Sequence, residues 1–167
     1  MWSLFFLLLP GTGFVFGLLN VSIRPEFHWL RIPSQYPLEF WVMALGGSIA
    51  TVGGILDWRL HRQEGIVIGA KERQYERVAL GAGGTPLFTL MAAASLSAYP
   101  QRFLLPVLLI LLFTVVMICY DEFVFHRKRC GIYETVLHRM LVFGNGLAWL
   151  AWANWCFVRG GVYAVNS

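Results

Sequence analysis

The chain has 167 residues, of which 57% are hydrophobic and only 13% are charged, and its mean hydropathy is +0.62. An ordinary soluble domain carries about 25% charged residues, so this composition excludes a soluble globular protein. The net charge of +4 belongs to a largely apolar chain, where basic residues report membrane topology, and it is not a nucleic-acid-binding signal. We therefore predict an all-α integral membrane protein.

Five apolar stretches fill the chain, and each is long enough for the roughly 20 residues that a membrane-spanning helix needs. The predicted spans cover residues 2–23, 38–62, 74–99, 103–126 and 133–158, within a single membrane domain over residues 1–167. A connector with three prolines follows the first span and is predicted to be a loop, with Trp29 and Tyr36 at the membrane interface.

Orientation follows from the basic side chains, because Lys and Arg accumulate on the cytoplasmic side of membrane proteins. Nine of the thirteen lie at the end shared by the second-to-third and fourth-to-fifth connectors. This pattern predicts a cytoplasmic N-terminus and an outside C-terminus. We expect the membrane to be a bacterial inner membrane.

Acidic and histidine residues recur where four of the spans meet this basic end. Each span carries two of them four residues apart, which places both on one face of a helix. The pairs are Asp57 and His61, Glu72 and Glu76, Glu122 and His126, and Glu134 and His138. Spans two and three repeat as spans four and five with the same orientation. The pattern therefore predicts a four-helix bundle built from a duplicated parallel helical hairpin.

These eight side chains predict a metal site, since carboxylates and imidazoles together suit iron, manganese or zinc. Asp121 competes with Glu122, because it aligns with Asp57 if one residue is inserted. Soluble carboxylate-bridged bundles also draw Glu and His from four facing helices, although their motif is Glu-x-x-His rather than Asp/Glu-x-x-x-His. We expect two divalent metal ions, with iron as the first candidate and manganese or zinc as alternatives.

The functional hypothesis is a membrane-embedded di-metal protein, an oxidoreductase or hydroxylase that acts on a lipid-soluble substrate among the membrane lipids. One alternative is a zinc-dependent membrane hydrolase. A second is a non-enzymatic helical subunit of a larger membrane complex, in which the acids form salt bridges. A third is a b-type haem electron carrier ligated by His61 and His126. The tryptophans Trp149, Trp152 and Trp155 are predicted to anchor the fifth span at the interface.

Overall fold

The computed structural model describes residues 2–63, 69, 74–75, 77–124 and 131–161. The regular elements within these ranges are all helical, which confirms the predicted all-α class. The five α-helices are α1 (Trp2–Val21), α2 (Leu38–Gln63), α3 (Thr85–Ser95), α4 (Leu104–Val124) and α5 (Ile132–Ala153). A π-helical turn, Ala79–Gly84, leads into α3, and another, Asn154–Val158, extends α5.

Three helical segments in the described ranges are long and apolar enough to cross a membrane, and they match the predicted second, fourth and fifth spans. They are Leu38–Gln63, Pro100–Val124 and Ile132–Val158. The apolar helix found in the first span, Leu8–Val21, is shorter. The architecture is therefore compatible with an integral membrane protein, while five spans, a bundle of spans two to five and the duplication stay predictions.

The predicted third span is the one whose limits differ most from the structure. Its helix ends at Ser95, whereas the sequence predicted residue 99. The hydroxyl of Ser97 accepts a hydrogen bond from the backbone N–H of Tyr99, and such local bonds compete with a continuing helix. Pro100 follows directly and disfavours a helical conformation of Tyr99.

Helices α2 and α5 form the most extensive helix pair, and they run antiparallel. Glycines let the two backbones meet: a Cβ on Gly46 would lie 2.7 Å from the carbonyl oxygen of Gly144, and one on Gly144 would lie 2.6 Å from that of Gly46. Further along, a Cβ on Gly53 would lie 2.9 Å from the carbonyl oxygen of Leu137. Small residues commonly allow this close approach between membrane helices. The pair brings the end of α2 beside the start of α5.

Helices α3 and α4 pack together through the π-helical turn. A Cβ on Gly83 would lie 2.6 Å from Oγ1 of Thr114, so only a glycine fits against α4 without movement of that side chain. The hydroxyl of Thr85 donates to the carbonyl oxygen of Leu80, which also accepts the backbone N–H of Thr85. This contact orients α4, whose last turns carry Asp121 and Glu122.

An aromatic core lies where the start of α2 meets the end of α5. The connector after α1 folds into 3-10 turns, Pro25–Arg31 and Pro33–Gln35, and Trp29 is 7% exposed. Trp152 and Trp155 are each 4% exposed in the same core. These tryptophans pack against Phe40 and neighbouring apolar side chains, and their predicted place at the membrane interface stays a prediction.

Candidate metal centre

The antiparallel pairing of α2 and α5 brings two predicted acid–histidine pairs together. Asp57 and His61 lie on the last turns of α2, and Glu134 and His138 lie on the first turns of α5. Within each pair the residues are four apart and share one face of their helix. The four side chains therefore meet at one end of the α2–α5 pair, which we call the histidine end.

Two histidines from different helices face one carboxylate oxygen. Oδ1 of Asp57 lies 3.8 Å from Nε2 of His61 and 3.5 Å from Nε2 of His138. This oxygen is shielded from solvent and has no hydrogen-bond donor among the residues that the structure describes. The ion-pair partners of Asp57 in the described part of the chain are both histidines, so its charge faces imidazoles rather than a permanent cation.

Glu134 is the most buried of these four side chains, at 5% exposed, and it contacts His61. Its Oε1 lies 2.8 Å from Nε2 of His61. Which of the two groups donates depends on the tautomer of His61 and on the protonation of Glu134. The histidine end thus joins Asp57, His61, Glu134 and His138 through contacts that alternate between acid and imidazole.

Helix α4 adds a carboxylate on the other side of His138. Oε2 of Glu122 lies 3.6 Å from Nδ1 of His138, and the Glu122 side chain is 41% exposed. Asp121 is partly buried one residue earlier on the same helix. Glu122, one of the two alternatives that the sequence left open, therefore faces His138, and the choice between Asp121 and Glu122 as a ligand stays a prediction.

Three of the predicted ligands, Glu72, Glu76 and His126, lie outside the described residues. Within the described ranges, Asp57, Glu134 and His138 form a group whose candidate ligand atoms all lie within 4.8 Å of one another. Ligand atoms bound at about 2.0–2.2 Å from one ion stand roughly 3–4 Å apart. The group would need to contract by about 1 Å to hold a single ion.

A second polar cluster, which the sequence analysis missed, lies at the other end of the α2–α5 pair. Glu39 begins α2 and is 6% exposed. Its Oε1 accepts a hydrogen bond from Nδ2 of Asn154 at 2.8 Å and lies 2.7 Å from Nε of Arg159. An ionisable residue in the first turn of an apolar span was the signal that could have found it. We call these three residues the Glu39 cluster.

Comparisons with protein-family models, with curated proteins and with solved structures give no match.

Proposed function

We propose that this chain is a membrane-embedded metalloprotein whose centre lies at the histidine end. Asp57, Glu134 and His138 would hold a divalent transition-metal ion. The observation that carries the proposal is the convergence of three candidate ligand atoms, from two helices, on a region within 4.8 Å. The shielded Oδ1 of Asp57, which lacks a hydrogen-bond donor, supports it, because a metal ion would satisfy that oxygen.

His61 and Glu122 would have different parts in this centre. His61 lies beside both carboxylates and can become a fourth ligand by exchanging its hydrogen bond with Glu134 for a metal bond. Glu122 lies behind His138, against the ring nitrogen that does not face Asp57. A carboxylate in that position orients a ligating imidazole and raises its basicity.

Iron is the metal that we propose first, since imidazoles with carboxylates are the usual ligands of non-haem iron. Bound iron would supply oxidation by dioxygen, and a centre at the end of apolar helices favours a lipid-soluble substrate. The protein would then be an oxidoreductase or hydroxylase. The second ion of the di-metal hypothesis would draw on Glu72, Glu76 and His126. Zinc in the same ligands would instead lower the pKa of a bound water for hydrolysis.

Metal analysis of the protein purified in detergent without chelator tests the proposal. We expect at least one transition-metal ion per chain, and its identity distinguishes oxidation from hydrolysis. The variants Asp57→Asn and His138→Ala should each lose most of the metal. His28→Ala is the matched control, because His28 is exposed in the connector that leads to α2, and its metal content should equal that of the wild type.

A non-enzymatic structural role is the second candidate. The 2.8 Å hydrogen bond between His61 and Glu134 favours it, because this contact joins α2 to α5 without an ion. Such a chain would serve as a helical subunit of a larger complex. A wild-type preparation with less than one metal per two chains would exclude the metal centre and leave this role. An absorption spectrum with a Soret band would instead favour the haem alternative.

A further inference from the structure

The Glu39 cluster contains an acceptor that no described residue of the chain satisfies. Both contacts of the carboxylate, from Asn154 and Arg159, are made through Oε1. Oε2 is buried and has no hydrogen-bond partner. Burial of a charged oxygen without a donor is costly, so this position favours a ligand that brings an N–H or O–H group.

Arg159 provides the complementary charge at the edge of the same cluster. It contacts Glu39 through Nε, and its side chain is 59% exposed. A guanidinium has five donors, so one contact through Nε leaves donors for a second anion. Because Arg159 is the exposed member of the cluster, a ligand approaches the carboxylate from the Arg159 side.

Two buried indoles that pack on the residue after Glu39 also lack hydrogen-bond partners among the described residues. The Nε1–H groups of Trp29 and Trp155 have no acceptor, although each residue is less than a tenth exposed. Both rings pack on Phe40, the residue after Glu39, with centroids 5.9 Å and 5.0 Å away. Indoles at a membrane interface characteristically combine an apolar body with a donor for a polar group.

We propose that the Glu39 cluster binds the headgroup of a zwitterionic phospholipid that carries a primary ammonium, as phosphatidylethanolamine does. The ammonium donates to Oε2 of Glu39, and the phosphate accepts from the guanidinium of Arg159. The indole N–H groups of Trp29 and Trp155 donate to the oxygens that link the headgroup to its acyl chains.

Charge complementarity selects this headgroup over the other common ones. The anionic headgroup of phosphatidylglycerol brings a phosphate for Arg159 but no cation for Glu39, and its net charge has the same sign as the buried carboxylate. A quaternary ammonium has the positive charge but no N–H to donate to Oε2. The site is separate from the proposed metal centre, because the helix from Glu39 to Asp57 rises roughly 27 Å.

Native mass spectrometry of the delipidated, full-length protein tests this proposal. Short-chain phosphatidylethanolamine, its N-methyl and N,N-dimethyl derivatives, phosphatidylcholine and phosphatidylglycerol are added separately at equal concentration. We expect one phosphatidylethanolamine per chain, bound about tenfold more tightly than phosphatidylcholine, because a charge-assisted hydrogen bond is lost. Affinity should fall from the unmethylated to the fully methylated headgroup, and phosphatidylglycerol should also bind weakly.

The variant Glu39→Gln should bind phosphatidylethanolamine and phosphatidylcholine equally. Glu122→Gln, the same substitution at the histidine end, should keep the wild-type preference. Equal binding of all the lipids by the wild type, or an unchanged preference in Glu39→Gln, would overturn the proposal. If Glu39→Gln does not fold, binding of the methylated lipids to the wild-type protein still tests the proposal. The metal content of Glu39→Gln should equal that of the wild type. A failure of the lipid-binding proposal can therefore be distinguished from a failure of the proposed metal centre.

Discussion

Among single side chains, Asp57 is the one on which the candidate centre depends most. Its Oδ1 faces both His61 and His138, so this oxygen links the imidazole of α2 to that of α5. Glu122, in contrast, touches only one histidine of the centre, and from the side away from Asp57. The two carboxylates therefore have different expected effects on metal binding.

We predict that Glu122→Gln weakens metal binding by about 10–100-fold, the usual effect of removing a carboxylate behind a ligating histidine. The amide keeps the shape of the side chain but not its charge, so His138 stays in place with lower basicity. Competition with a chromophoric chelator measures the affinity. Glu39→Gln provides the matched control at the far end of α2, and it should retain wild-type affinity.

Two outcomes of that titration would contradict the assignment. Unchanged affinity in Glu122→Gln would mean that this carboxylate does not act on the centre. Complete loss of metal, as severe as in Asp57→Asn, would mean that Glu122 binds the ion directly, as the sequence first suggested.

The spacing of four residues was sufficient to predict that Asp57 shares a face with His61, and Glu134 with His138. It was not sufficient to predict which helices meet, because all four predicted stripes carried the same pattern. The close contact of α2 with α5 depends on backbone approach at glycines, which helical periodicity does not encode. Glu39 was missed for a related reason: its partners, Asn154 and Arg159, lie more than 100 residues away in sequence.

At the level of helices, the contact between Gly46 and Gly144 sets the distance between α2 and α5. We predict that Gly144→Ala destabilises the protein by about 1–3 kcal/mol, because its Cβ would meet backbone atoms that cannot rotate away. Thermal unfolding in detergent, followed by far-UV circular dichroism, measures the loss. The matched control is Gly146→Ala on the same helix, where a Cβ has nothing within 4 Å.

A melting temperature of Gly144→Ala equal to that of Gly146→Ala would refute close packing of these two helices. If the packing is correct, the Gly144 variant should also lose metal, since the acids and histidines of the centre come from both helices. Gly146→Ala should keep both its stability and its metal.

The lengths of the apolar stretches were sufficient to predict the limits of most helices. For example, α2 was predicted over 38–62 and extends over Leu38–Gln63. The third span was the exception, since Ser97 and Pro100 end α3 at Ser95 although the apolar residues continue. The connector after α1 was predicted to be a loop from its polar residues and prolines, and it folds into 3-10 turns. Phe27 and Trp29 within it are buried, a tertiary effect that local composition does not reveal.

For the whole molecule, we predict that the two ends of the α2–α5 pair lie on opposite sides of a membrane, as do the two ends of the α3–α4 pair. Single cysteines at Gln63 and Gln101, introduced with Cys119 and Cys130 replaced by serine, should label from opposite sides. Cys156 can remain, because it is fully buried. Impermeant thiol reagents applied to intact cells and to inverted vesicles make the measurement. Labelling of both positions from one side would contradict the predicted topology.

Contacts at both ends of the α2–α5 pair constrain how these helices can slide past each other. A shift by one helical turn, about 5.4 Å, would part Glu39 from Asn154 and, at the same time, His61 from Glu134. Intermediate shifts are opposed by the glycine contacts between the ends. The two helices are therefore held in register by contacts at both ends of the pair and at its middle. Only one longitudinal alignment of the two helices fits all three positions.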